Sequence, residues 1–220
     1  MTTLAVLPIK RLRAAKRRLD PAVSARARRE LAAAMAADVL DALGRVGGLA
    51  GVIAVTGEPA IARAATAAGA ETIDDDRDAG QSAAARLGIS RALERGASHA
   101  LLVPGDCPVL EPAELESLLV GATPGRSVAV VPDRHGTGTN GLLLAPPDVI
   151  APAFGPASFD RHVDAARQAG AAVHVERLPS LALDVDTAGD LVALRAALST
   201  APAAAPRTRD VLAAVASGAA

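Results

Sequence analysis

The sequence predicts an α/β domain in which one mixed, mostly parallel sheet is flanked by helices. Three observations carry that expectation. Short runs of Val, Leu, Ile and Ala alternate with stretches of helical periodicity along most of the chain, the pattern of successive strand–helix–strand units. The apolar palette is aliphatic, with two Phe and no Trp or Tyr, as suits strands buried on both faces. A length of 220 residues fits one large domain, or one domain with an appendage.

The elements follow in order. Residues 3 to 8 read as a buried strand. Ser24 is placed to cap a helix from Ala25 to Leu43, where Leu31, Met35, Val39 and Leu40 recur at helical spacing before Gly44. Val52 to Val55 is a second strand, Pro59 to Ala68 a second helix and Ala70 to Ile73 a short third strand, which completes a βαβαβ alternation. Ser82 is the expected cap of a helix through Leu93. Ala100 to Pro104 is a strand that runs into Gly105-Asp106-Cys107-Pro108, and a helix follows from Glu111 to Val120. Val128 to Val131 and Leu142 to Ala145 form a hairpin around a long loop. Ser158 stands where the cap of the next helix belongs, with Phe159, Val163 and Ala166 on one face and Gly170 at its end. Ala172 to Val175 and Leu181 to Leu183 read as strands, and Thr187 caps a helix through Leu198. From Ser199 the composition turns to Ala and Pro. Residues 1–198 are therefore expected to form the domain, and 199–220 a linker and tail with one short amphipathic helix over Thr208 to Val215.

Composition excludes several function classes. A net charge of −1 provides no field for nucleic acid, and the missing aromatic residues remove the stacking platforms of single-strand binders. One cysteine, Cys107, rules out an internal disulfide and a cysteine metal cluster, in accord with a reducing compartment. No apolar stretch of about 18 residues occurs, so a cytoplasmic protein without a membrane partner is expected. His99, His135, His162 and His174 show no metal-ligand spacing and read as structural or exposed.

Chemistry is expected where strands end, because open α/β sheets bind ligands at their carboxyl edge. Asp106 stands at such an end. Asp184 and Asp186, at i and i+2 of an extended segment, point to one side. Six cationic residues fall within the nine positions from Lys10 to Arg18, interleaved with Leu12, Ala14 and Ala15. That tract fits a phosphate-gripping loop after the first strand better than a nucleic-acid patch; a solvated loop is the plain alternative. Neither a dinucleotide-binding nor a P-loop glycine pattern is present. Gly136-Thr137-Gly138-Thr139-Asn140-Gly141 offers hydroxyls and closely approachable backbone, and Gly155 with Ser158 opens a helix. Both read as anion-accepting sites. The acidic run Asp74 to Asp78 reads equally well as a solvated or a ligand-facing loop.

Three carboxylates and several phosphate-binding elements suit a polyphosphate substrate with Mg²⁺, and two such ions can hold both the attacking and the leaving oxygen. No general base stands out. A phosphate nucleophile, ionised at neutral pH, needs none, so nucleotidyl transfer to a phosphorylated acceptor is expected. Cys107 reads as packing rather than nucleophile.

Taken together, Pro8-x-Lys10, Ala15-Lys16-x-Arg18-Leu19, Gly105-Asp106-x-Pro108, Gly136-Thr137-Gly138-Thr139-Asn140, Phe154-Gly155-x-x-Ser158-Phe159 with His162, and Leu183-Asp184-Val185-Asp186-Thr187 resemble a known family. It is that of the 2-phospho-L-lactate and phosphoenolpyruvate guanylyltransferases of coenzyme F-420 biosynthesis. The resemblance covers roughly residues 3 to 198 and implies a Rossmann-like, MobA-like nucleotide-diphospho-sugar transferase fold. It implies transfer of GMP from GTP to a small phosphorylated acid, with release of pyrophosphate. The acid would be phosphoenolpyruvate, 2-phospho-L-lactate or 3-phosphoglycerate. By the family pattern Asp106, Asp184 and Asp186 hold Mg²⁺, and Thr139, Gly155 and Ser158 bind the phospho-acid. Asp106, Lys16 and Arg18 are the implied catalytic groups. Lys10, Lys16, Arg18, Gly105 and the segment Gly80-Gln81-Ser82 are implied at the nucleotide. That last segment departs from the Gly-Leu-Asn common in relatives, which bears on guanine selectivity. A homodimer and hand-off of a labile product to the next transferase of the pathway are further expectations. The alternatives are a MobA-like transferase acting on a molybdenum-cofactor pterin or a sugar phosphate, and a non-catalytic nucleotide-binding module.

Overall fold

The computed structural model describes residues 1–12, 16, 18–19, 23–122 and 125–217. Arg13, Ala14, Ala15 and Arg17 of the cationic tract lie outside the described residues. Seven strands make one sheet in the order β3-β2-β1-β4-β6-β5-β7. They are β1 (Thr3–Ile9), β2 (Leu49–Thr56), β3 (Glu71–Ile73), β4 (His99–Leu102), β5 (Ser127–Pro132), β6 (Thr139–Ala145) and β7 (Ala172–Val175). β1 pairs in parallel with β2 and β4, β2 with β3, and β5 with β7, whereas β6 is antiparallel to both neighbours. The expected mixed, mostly parallel sheet is thus observed.

The strands bury both faces, which explains their unbroken aliphatic runs. Ala5, Leu7, Leu101, Val103, Ala129 and Val131 point into one core, with helices α1 (Ala25–Gly44), α2 (Pro59–Ala67) and α4 (Pro112–Val120). Leu4, Val6, Ala100, Leu102, Val128 and Val130 point into the other, against α3 (Gln81–Glu94) and α5 (Ser158–Gln168). The period-two alternation follows from the pleat. Where α3 crosses β1, a Cβ on Gly88 would lie 2.2 Å from Val6 Cγ1, so that crossing requires glycine.

A third cluster joins α1 through Leu31 and Met35 to α7 (Ala188–Thr200) and α8 (Pro206–Ala216). The Ala/Pro segment before α8 forms a turn fastened by Arg209, whose guanidinium donates to the carbonyls of Leu198, Ala201 and Ala204. α8 docks on α1: Thr208 gives its N–H and its hydroxyl to the Asp38 carboxylate at 2.8 and 2.7 Å. Among the described residues no helix is long and apolar enough to cross a membrane.

Three local expectations are corrected. Leu181 to Leu183 is not a strand; Pro179–Ala182 is a helical turn, α6. Its carbonyls are met by the Asn140 amide and the Arg134 N–H instead of a neighbouring strand, a difference that a three-residue apolar run cannot reveal. Ser82 does not cap α3, because Gly80 at φ 96° takes the cap position and the serine hydroxyl turns to the N–H of Phe154. Ser158 is the first helical residue of α5, not its cap; Ala157, in the left-handed region at φ 53°, precedes it. Ser24 does cap α1, accepting from the Ala27 N–H at 3.0 Å.

Candidate active site

The carboxyl ends of β1 and β4 and the start of the reversed strand β6 meet at one edge of the sheet, and a cleft of about 660 Å³ opens there. Its wall includes Lys10, Lys16, Arg18, Gln81, Gly105, Asp106, Thr139, Gly155, Ser158, Asp184 and Asp186. Of the residues that the family resemblance implies at the site, all described, Gly80 and Ser82 are not part of that wall.

Asp106 reaches the cleft just beyond β4. Gly105 before it packs on the end of β1, where an added Cβ would stand 3.1 Å from Ile9 Cγ1. The Asp106 carbonyl accepts the Val185 N–H at 3.1 Å. That single backbone bond draws the Asp184-Val185-Asp186 segment alongside Asp106, although 78 positions separate Asp106 from Asp184. Two further groups, neither marked from the sequence, fix the segment. The Asn140 amide, at the start of β6, donates to Asp184 Oδ1 at 3.1 Å. Asp190 accepts the N–H groups of Asp186 and Thr187 at 3.0 and 2.6 Å and is paired with Arg134. The Asp190 role was legible as a capping box, Thr187 and Asp190 standing three apart. Asn140 was visible only as part of a glycine-rich loop.

Lys16 lies between the acids. Its ammonium is 2.5 Å from Asp106 Oδ2 and 2.9 Å from Asp186 Oδ1, and Arg18 Nη2 is 2.7 Å from Asp186 Oδ2. Burial acts to lower the Lys16 pKa, but attraction to Asp106 and Asp186 outweighs it and the net shift is upward. Burial likewise pushes Asp186 up, and Lys16 and Arg18 more than reverse that, so its carboxyl sits below the ordinary value. Among the described residues Asp184 has no such cation: burial raises its pKa, against the opposing effect of the Asn140 hydrogen bond. Among the described residues no group of three acidic, histidine or cysteine side chains stands ready-made as a metal site. Asp106 and Asp186 instead share the lysine. Cys107, fully buried, donates to the Leu181 carbonyl and has its thiol pKa raised well above normal by burial, in keeping with packing.

The opposite wall differs from expectation in one respect. The glycine-rich loop does not present an open cradle of N–H groups, because its own Asp133 fills it. Asp133 Oδ1 accepts from His135 N and Thr137 N at 3.2 and 2.9 Å, and its carbonyl accepts from Gly136 N at 3.0 Å. Thr137, Gly138, Thr139 and Asn140 of the loop line the cleft. Facing it, residues 153–158 are clamped by α5 and α3: Arg161 binds the carbonyls of Ala153 and Pro156, and Ser82 accepts the Phe154 N–H at 2.8 Å. Gly155 at φ 115° uses the freedom glycine alone has, and Ala157 at φ 53° is held in the left-handed region, a form of strain that clusters at functional sites. Gly80-Gln81-Ser82 is thereby split: Gln81 faces the cleft and Ser82 braces the loop.

Cationic residues, carboxylates and a hydroxyl-bearing, strained loop around one cleft are the equipment for binding and transferring phosphoryl groups. Comparison with known proteins agrees. The family model described as "Guanylyl transferase CofC like" matches residues 3–197. A phosphoenolpyruvate guanylyltransferase from Conexibacter woesei is 46% identical over 213 residues, covering 96% of each chain. In fold, a protein of the nucleotide-diphospho-sugar transferase type from Desulfovibrio desulfuricans superposes with a TM-score of 0.76 at 17% identity, covering 99% of this chain and 98% of that one. A glucosyl-3-phosphoglycerate synthase from Mycobacterium tuberculosis, solved with Mg²⁺ and UDP, does so with a TM-score of 0.54 at 14% identity, covering 80% and 69%. The chain belongs to the CofC-like guanylyl transferase family and is a nucleotidyltransferase.

Proposed function

We propose that this enzyme transfers GMP from GTP to phosphoenolpyruvate and releases pyrophosphate. One observation carries the proposal: a single cleft holds Lys16 and Arg18, the three carboxylates, and Thr139 with the Gly155–Ser158 loop. The name of the Conexibacter woesei relative supports the choice of acceptor. In this reading a phosphate oxygen of the acceptor attacks the α-phosphorus of GTP. A new P–O–P linkage forms as the bond to the pyrophosphate oxygen breaks. The attacking phosphate has its second pKa near 6, so no side chain need remove a proton, in keeping with a cleft wall that carries no histidine.

Lys16 and Arg18 neutralise the nucleotide phosphates, with Lys10 at the rim. Gly105 lets the nucleotide approach the end of β1, and Gln81 faces it. Thr139, Gly155 and Ser158 hold the acid. Asp106, Asp184 and Asp186 fit a divalent cation by their chemistry, because they are hard oxygen donors and two of them already share one cation, the Lys16 ammonium. When bound there, Mg²⁺ would add Lewis-acid stabilisation of charge on the transferring phosphoryl group. With a cation held by the acids, the Lys16 ammonium would be free to meet the phosphates. The product joins two phosphates in an anhydride, and its hand-off to a downstream transferase belongs to the same proposal.

Pyrophosphate release with GTP and phosphoenolpyruvate, 2-phospho-L-lactate or 3-phosphoglycerate, in the presence of a downstream acceptor enzyme, tests the proposal. Turnover with phosphoenolpyruvate exceeding that with the other two at equal concentration is expected. No turnover with any of them refutes it.

A further inference from the structure

His162, on α5, is wholly buried and is not part of the cleft wall. Both of its ring nitrogens are nevertheless engaged with parts of that wall. Nε2 lies 2.8 Å from the Ala153 backbone nitrogen, and Nδ1 lies 2.9 Å from Thr139 Oγ1. A backbone N–H can only donate, so Nε2 must present its lone pair. A neutral imidazole carries one proton, and that proton is therefore on Nδ1. Burial, assisted by the neighbouring Arg161 charge, depresses the ring pKa to about 4, so the neutral form holds at physiological pH.

The tautomer has a consequence for Thr139. Nδ1–H donates to Oγ1, which uses one hydroxyl lone pair and leaves the hydroxyl hydrogen to find another acceptor. Among the described residues it has none in the protein. Thr139 lines the cleft, so the hydrogen is available to a bound ligand, and the hydroxyl meets an anion as a donor. The other nitrogen acts on the facing wall. Ala153 opens the loop that carries Gly155 and Ser158, and the next residue, Phe154, packs edge-on to the imidazole with ring centroids 5.2 Å apart.

We propose that His162 is a positioning residue for the acceptor acid: through Nδ1–H it sets the Thr139 hydroxyl as a donor to a phosphate or carboxylate oxygen. Through Nε2 it holds the Gly155–Ser158 loop at the matching position. One imidazole thus sets the spacing between the two walls. The inference rests on the reading of Thr139, Gly155 and Ser158 as the acceptor site.

Two measurements test it. In nitrogen-15 NMR of the labelled wild-type protein, the His162 ring is expected to show a protonated Nδ1 and an unprotonated Nε2 at neutral pH; the reverse tautomer overturns the inference whatever the substrate. In steady-state kinetics, His162→Gln retains an acceptor for the Ala153 N–H and loses the donor to Thr139. It is expected to raise KM for phosphoenolpyruvate about tenfold or more, the loss typical of a hydrogen bond to a charged group. KM for GTP should stay within about twofold, since His162 makes no contact with the Lys16 and Arg18 side of the cleft. Thr139→Val should act similarly, and the double variant should be little worse than either single one, as for two groups in one interaction. An active wild type with His162→Gln unchanged in KM for phosphoenolpyruvate, or with both KM values raised equally, overturns the positioning role alone. A wild type that cannot use phosphoenolpyruvate overturns both this role and the reading on which it rests.

Discussion

Replacing Lys16 by Met removes the cation that Asp106 and Asp186 share while keeping the length and flexibility of the side chain. Loss of one partner from a fully buried pair costs about 3–5 kcal/mol. Here the Lys16 side chain is 7% exposed, but those of Asp106 and Asp186 keep 28% and 35%, so water screens part of the charge left behind and about 2 kcal/mol is expected. In a chain of this size that lowers Tm by about 4–8 °C. The sign of the metal effect distinguishes this account from simple loss of packing. With the ammonium gone, the two carboxylates repel each other and become a better site for a divalent cation, so Mg²⁺ alone should stabilise Lys16→Met more than the wild type. At a hundredfold excess over the dissociation constant the gain is about 2.7 kcal/mol, enough to offset the loss. Thermal unfolding of both proteins, with and without Mg²⁺ and without nucleotide, reads this directly. An unchanged Tm for Lys16→Met, or equal stabilisation of the two proteins by Mg²⁺, would refute the reasoning.

Three further outcomes are expected. His162 has its pKa lowered from 6.5 to about 4 in the folded protein, so between those values the unfolded state binds the extra proton. Stability is therefore full above pH 6.5 and declines as pH falls towards 4, by about 3 kcal/mol for a shift of this size; urea unfolding across that window should lose this component in His162→Gln, and parallel profiles would contradict it. Gly88→Ala should destabilise by about 1–3 kcal/mol, against the ordinary preference of helices for Ala, because the new Cβ meets Val6; pairing it with Val6→Ala should recover most of the loss in the same unfolding assay. Asp38→Ala leaves the buried Thr208 N–H and hydroxyl without their acceptor, which costs about 2 kcal/mol. Hydrogen exchange should then report opening of α8 ahead of the sheet, with KM for both substrates unchanged; exchange confined to global unfolding would argue that α8 is held by its apolar face alone.

How far the site could be read from the sequence depended on the range of the interaction concerned. Asp106, Thr139 and Ser158 were legible because each sits at the boundary of an element that local patterning defines, and the sheet rule then places such boundaries at one edge. Asp184 and Asp186 were identified for a partly wrong reason: they follow the helical turn of α6 and not a strand. The anion cradle expected from three glycines was also a local inference, and it did not foresee that Asp133, from the same loop, accepts the N–H groups of His135 and Thr137. Asn140 and His162 passed almost unnoticed, since each acts on groups brought near only by folding: Asn140 on α6 and Asp184, His162 on Ala153 and Thr139.

By itself, then, the sequence determined the layered α/β class, the edge at which the cleft opens and most of the residues along it. These follow from side-chain periodicity and turn chemistry over a few positions. Only the tertiary structure decided what those residues do to one another. It put Lys16 between two acids 90 and 170 positions away, tied Val185 to Asp106 by one backbone bond, and gave His162 a defined tautomer. Charge and hydrogen bonding act over a few ångströms in space, and no spacing along the chain encodes which groups will be that close.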